Sequence, residues 1–307
     1  MADSTASAAP QGPAHPADRP VYVIGAGPGG LAVAHALRAR GLRAVVLERA
    51  DHVGSSWRRH YDRLRLHTTR RLSALPGLPM PRRFGRWVAR DDVVRYLEKY
   101  AEHHQLEIVT GVEVFRVERA RDGDGWLLHA SGGRELTGAA VVVATGHNHT
   151  PRLPDWPGRD TYTGELRHAA EYRSPAPYAG RDVLVVGVGN TGAEIAVDLV
   201  EVVAAVDAFE DGKAVLADGS RIAPDAVIAA TGYRRGLEGL VGHLGVLDGT
   251  GRPVAHGGRC PAGAPGLYFT GFTNPISGML RELAIDAGRI AGAVAKRQAG
   301  RVSRLPG

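Results

Sequence analysis

Short apolar runs ending in glycine recur along the chain. Val21–Ile24 leads into Gly25 and reads as a buried parallel strand. Leu31–Arg40 is Ala-rich, with small residues toward that strand, and predicts a helix ended by Gly41. Arg43–Glu48 is the next strand, which completes a βαβ unit. Arg90–His103 predicts a second helix, because Val93, Val94, Leu97 and Tyr100 share a face. Val112–Glu118 and Trp126–Ala130 predict a hairpin across Asp122-Gly-Asp-Gly125. Ala139–Ala144 is a further strand, ending at Thr145-Gly146. Pro151 to Pro177 is broken by Pro and Gly and predicts a loop.

The pattern then repeats. Arg181–Val186 is a strand into glycines, Thr191–Val203 a helix, and Val206–Phe209 with Lys213–Leu216 a hairpin. Ala226–Ala230 is a strand that again ends in Thr-Gly, at Thr231 and Gly232. The second copy is much shorter: Gly187 to Ala230, against Gly25 to Ala144. A parallel sheet needs cover on both faces. The apolar surface of Ile195, Ala196, Leu199, Val200, Val202 and Val203 therefore calls for the first unit, a second protomer or a partner protein to pack on it. Residues 1–19, rich in Ala, Pro and Ser, read as a disordered tail, and 300–307 as another. The chain divides into a first unit at 20–146, a shortened unit at 147–235, and a return to the first at 236–299.

Composition sharpens this picture. Glycine numbers 41 of 307 residues, which suits tight turns and close backbone approach to a ligand. The one cysteine, Cys260, excludes an intrachain disulfide and fits a reducing, cytoplasmic setting. The net charge of +6 is spread along the chain without a nucleic-acid motif, so no nucleic-acid partner is expected. No apolar run is long enough for a membrane helix, and the start does not read as a secretory signal. His147, His149, His103 and His104 lack carboxylates or thiolates at ligand spacing, so no metal site is expected.

Gly25-Ala26-Gly27-Pro28-Gly29-Gly30 fits G-x-G-x-x-G between strand and helix, with Glu48 closing the next strand. Gly25 makes the turn, Gly27 admits a pyrophosphate, and Gly30 lets helix and strand pack closely. The helix N-terminus favours the phosphates, and Glu48 can accept from ribose hydroxyls. Gly187-Val-Gly189-Asn190-Thr191-Gly192 fits equally well locally. No Arg or Lys follows it in the place a 2′-phosphate requires, and Asp207 falls about where a ribose acid would stand. This second loop reads either as a dinucleotide site or as a βα remnant that only packs. His168 and Tyr172, four apart, read as structural residues on a short helix.

Together these motifs resemble the flavin-containing monooxygenases, the class B two-dinucleotide flavoproteins, near their bacterial and plant YUCCA-like members. Tyr162, Gly164, His168 and Tyr172 match the family's identifying motif, with Tyr in place of its first Phe. Gly54-Ser-Ser56-Trp57, Ala144-Thr-Gly146-His-Asn148 and Gly271-Phe-Thr-Asn274-Pro275 match segments that border the flavin or link the domains. The resemblance implies an α/β two-dinucleotide-binding flavoprotein, with a Rossmann-type FAD domain and a truncated second unit. It implies FAD and NADPH as cofactors, and O2 and a small amine, sulfide or carbonyl compound as substrates. FAD binding falls to the first glycine loop, Glu48, Arg49, Ser56, Trp57, His67, Thr68, Gly146, Gly271 and Asn274. NADPH binding falls to Gly187, Gly189, Asn190, Thr191, Gly192 and Thr231. His67 and Asn274 are the candidates closest to the chemistry. His67 stands where the family carries an Asn, and the shortening removes the expected basic contact for NADPH. An FAD protein that does not use NADPH, or a silent truncated relative, stays open as an alternative.

Overall fold

The computed structural model describes residues 19–199 and 205–302. The apolar run β1 (Val21–Ile24) is the centre of a parallel sheet. Beside it lie β2 (Ala44–Leu47), then β3 (Glu107–Val109). On the other side lie β7 (Ala140–Val143), then β16 (Leu267–Phe269) from far along the chain. Val141, Val142 and Val143 are fully enclosed, as expected of a strand covered on both faces.

Helix α1 (Pro28–Arg38) packs on one face, and α7 (Met279–Val302) packs on α1. Ala32, Ala36, Ala287 and Ala291 are small and buried, which brings the two helices close. Leu31, Leu37 and Ile290 are also buried there, each worth about 1.5–3 kcal/mol of transfer free energy. Helix α1 starts at Pro28 rather than at Leu31, since proline suits a first helical position. Gly29 and Gly30 thus belong to its first turn. Two short helices follow β2, α2 (Ser55–Arg58) and α3 (Arg70–Ser73), and then α4 (Arg90–His103), whose bounds match the periodicity.

The predicted hairpin is a three-stranded antiparallel sheet: β4 (Val114–Arg119), β5 (Trp126–Ala130) and β6 (Arg134–Gly138). It covers the other face of the parallel sheet through the buried Val117, Trp126 and Leu128. The segment read as a loop contains β8 (Thr150–Pro151) and β9 (Glu165–His168). His168 therefore ends a strand and does not sit on a helix. β9 was hidden because Glu165 and Arg167 break its apolar character, and pairing with a neighbour selected the strand.

The second sheet has the order β10 (Val183–Val186), β14 (Ala226–Ala229), β9, all parallel. Helix α5 (Asn190–Leu199) follows β10. Its second hairpin also gains a strand: β11 (Val206–Glu210), β12 (Lys213–Leu216) and β13 (Arg221–Ile222). β15 (Tyr233–Arg234) pairs with β8, and α6 (Glu238–Val241) packs against β4. The order β9-β14-β10 repeats β16-β7-β1, and the described residues place nothing where β2 and β3 would continue it. Ile195 and Ala196 are buried with Tyr61 and Leu64, so the first unit supplies that part of the cover. Val200, Val202 and Val203 lie outside the described residues, as do the tail at 1–18 and residues 303–307. Gly300 to Val302 are not tail but the end of α7. Among the described residues, no helix is long and apolar enough to cross a membrane.

Candidate functional site

The first glycine loop begins at Gly25, whose φ of +109° favours glycine. A Cβ there would stand 2.7 Å from the Ala144 carbonyl oxygen, and one on Gly30 would collide with the Gly25 carbonyl. A Cβ on Gly27 would meet nothing within 4 Å, because that side opens into a cavity. Glu48 is buried. Its Oε2 accepts from the Ala26 N–H at 2.7 Å, and its Oε1 from the Ala50 N–H at 3.0 Å and Ser55 Oγ at 3.2 Å. These bonds aim the carboxylate at the rim of the loop.

The cavity is about 920 Å3 and runs between the two units. Gly25, Gly27, Pro28, Gly29, Glu48 and Arg49 line one end. Ser56, Trp57, His67, Thr68, Gly146, Gly271 and Asn274 line it as well. From the second loop come Gly189, Asn190 and Thr191. Five sequence candidates do not border it. The Ala26 N–H is taken by Glu48, and Gly30, Gly187 and Gly192 make room for backbone. The Thr231 hydroxyl bonds the Arg152 carbonyl. Asp207 lies on the meander strand β11, away from the cavity wall.

Several wall residues stand outside the cofactor-binding candidates, among them His60, which lies in none of the motifs, and Thr145 and His147, which flank Gly146. Thr145 Oγ1 is buried beside Gly25 with no protein partner, a hydroxyl free to meet a bound group. Burial lowers the pKa of His147, though a backbone hydrogen bond at Gly271 works against it. His60 is pushed down to about 4, by burial first and then by Arg173, Arg90 and Arg59. His168 donates from Nε2 to the Gly232 carbonyl at 2.9 Å, and its Nδ1 accepts from the Ala170 N–H at 3.0 Å. Both ring nitrogens are occupied by backbone of the second unit, so His168 ties the end of β9 to the turn after β14. The Tyr172 hydroxyl also stays within that unit, donating to Asp198 Oδ2 at 2.6 Å, while its ring packs with Tyr61 of the first unit. Among the described residues, no cluster of His, Cys, Asp and Glu could hold a metal ion.

Three comparisons bear on this site. Residues 22–224 match the profile of the family described as pyridine nucleotide-disulphide oxidoreductase. The indole-3-pyruvate monooxygenase YUCCA1 of Oryza sativa subsp. japonica is 43% identical over 178 residues, 58% of this chain and 44% of that protein. The chain thus spans less than half the length of the curated relatives it matches. A flavin-containing monooxygenase from Stenotrophomonas maltophilia superposes with a TM-score of 0.80 at 27% identity, covering 92% of this chain and 99% of that one. The bacillithiol disulfide reductase Bdr of Bacillus cereus superposes with a TM-score of 0.79 at 20% identity, covering 91% of this chain and 99% of that one. At that identity it shares the fold alone, and the fold does not choose between the two chemistries.

Proposed function

The chain belongs to the pyridine nucleotide-disulphide oxidoreductase family, with the flavin-containing monooxygenases, and on that premise we propose that it uses FAD to oxygenate a small organic substrate. The substrate classes that suit this chemistry are amines, sulfides and carbonyl compounds. The observation that carries the proposal is the single cavity shared by the first glycine loop, the Gly54–Trp57 turn, Gly271–Asn274 and the second glycine loop.

The residues present fit FAD. The open face of Gly27 and the N-terminus of α1 would hold the pyrophosphate, and Glu48 the ribose. Thr145 Oγ1 offers an unused hydroxyl beside them. Trp57, Thr68, Gly271 and Asn274 would flank the ring system. FAD, when bound, would supply the redox and oxygen-transfer chemistry that these side chains lack. The protein contributes binding, orientation and dryness. Leu66, Leu280 and Leu283 are apolar walls that keep water away. Burial lowers the His147 pKa and so disfavours a charged imidazolium in the cavity wall.

A second reading has its own support. The second sheet stops at β10, and no strand beside it among the described residues carries a cation for a 2′-phosphate. On that reading the chain binds FAD and takes electrons from another donor. One experiment separates the readings: add NADPH without oxygen and follow the flavin band near ~450 nm. Bleaching supports NADPH-dependent oxygenation and justifies substrate screening. A yellow protein that dithionite bleaches and NADPH does not supports the second reading. A colourless protein that does not take up added FAD sinks both.

A further inference from the structure

The charged side chains that join α5 to the first unit lie outside the glycine motif itself. Glu194 and Asp198 are four apart on α5 and so share a face. Glu194 Oε2 accepts from the Tyr61 hydroxyl at 2.7 Å, and its Oε1 pairs with His67 Nε2. Asp198 Oδ1 accepts from Arg63 Nη1 at 2.6 Å, and Oδ2 from the Tyr172 hydroxyl at 2.6 Å. Tyr61, Arg63 and His67 come from one stretch of the first unit, which borders the cavity at Tyr61, Leu64 and His67. The Asp62 N–H donates to the Arg173 carbonyl at 2.9 Å and ties the same stretch to the second unit through the backbone.

We propose that Glu194 is a positioning residue that sets where the second glycine loop stands over the cavity and fixes the orientation of His67. The proposal rests on reading the two glycine loops as one site. In the first unit, the strand before the loop has neighbours on both sides, β2 and β7. β10 has a strand partner on one side, β14, among the described residues. The sheet therefore holds the second loop less firmly, and the carboxylate clasp supplies what is missing. Both partners of Glu194 serve as donors. Burial raises the Tyr61 pKa, and the Glu194 hydrogen bond raises it further, so its hydroxyl stays protonated. An imidazole nitrogen facing a carboxylate must carry the proton. His67 is thus held with Nε2–H toward Glu194, and its Nδ1 lies 3.4 Å from Asn190 Nδ2. Asn190 opens α5 and lines the cavity, so the chain Tyr61–Glu194–His67–Asn190 links the first unit to the second loop.

Glu194→Gln tests this in the full chain. Glutamine keeps the size but offers one acceptor oxygen, and its amide nitrogen faces a donor. Hydrogen exchange across Asn190–Leu199 should quicken about tenfold, the effect of losing a charge-assisted hydrogen bond, while Val21–Arg38 keeps its protection. In 15N spectra of the histidines, the signal assigned with His67→Gln should lose its Nε2–H pattern and become a mixture of tautomers. The KM for NADPH should rise about tenfold, by more than any fall in kcat. Unchanged exchange and an unchanged His67 tautomer overturn the proposal, and so does equal loosening of both units. If Glu194→Gln does not fold, Tyr61→Phe removes one donor and should move the same readouts less. If NADPH does not reduce the wild-type protein, the reading of the nucleotide site fails, but exchange and tautomer still decide the role of Glu194.

Discussion

The two glycine loops are nearly the same object in different surroundings. Gly25 and Gly187 have φ of +109° and +119°. A Cβ on either would press on the carbonyl just past the end of a neighbouring strand: Ala144 after β7 at 2.7 Å, Ala230 after β14 at 2.5 Å. Gly30 and Gly192 each leave room for the first carbonyl of their own loop. The neighbours differ. The first loop stands at the centre of five parallel strands, with α1 and α7 on one face, a meander on the other, and Glu48 pinned at its rim. Among the described residues, the second stands at the end of three strands and leans on side chains of the first unit. A strand–turn–helix is thus a local property of glycine spacing. What it can bind depends on the strands beside it.

The sharpest way to break this comparison is to add one methyl group to each loop. Gly30→Ala should cost about 3 kcal/mol or more by overpacking against backbone, and yield a colourless or aggregated protein. Gly192→Ala meets the same obstacle in the second unit, yet should retain FAD and lose only the response to NADPH. Absorbance and thermal melts on both variants check this. Loss of flavin from both would mean that the units do not act separately.

The acids at the two rims give the next effect. Glu48→Ala leaves the Ala26 and Ala50 N–H groups without their acceptor and should weaken FAD binding by about 2–4 kcal/mol. Asp207→Ala, on an exposed meander strand, should leave FAD binding unchanged. Flavin fluorescence titrations measure both.

A smaller effect follows from pH. His60 and His104 are pushed down from 6.5 to about 4, chiefly by burial. Between these values the unfolded chain binds more protons than the folded one, so stability falls as pH drops from about 6.5 to about 4 and levels off below. Urea melts across that range should show the loss, and His60→Gln should reduce its slope. The smallest effect is that of Tyr172→Phe. It removes one donor to Asp198, which keeps Arg63, and should cost about 1 kcal/mol in a thermal melt.

Much of the first unit was legible in residue order, because its strands are continuous apolar runs and α4 carries a regular stripe at Val93, Leu97 and Tyr100. The glycines at 25, 27, 187 and 189 announced their turns for the same reason: backbone geometry is local. β9 was not legible, since Glu165 and Arg167 alternate with half-buried positions and the strand forms only against β14. His168 was singled out by spacing, but its place at a strand end and its bond to Gly232 came from that pairing.

The sequence by itself determined the two βα turns, the acid that closes the first, and the membership of the fold class, all set by interactions within a few residues or by apolar periodicity. The tertiary structure decided which candidates share a wall. It brought Trp57, His67, Asn190 and Asn274 around one cavity, and left Ala26, Gly30, Gly187, Gly192 and Thr231 off its lining. It also brought Glu194 to Tyr61 and His67, more than a hundred positions away, a meeting that no local pattern encodes. Such contacts arise when separate elements bury their apolar faces together, and the polar groups at the seam then find partners or remain costly to bury.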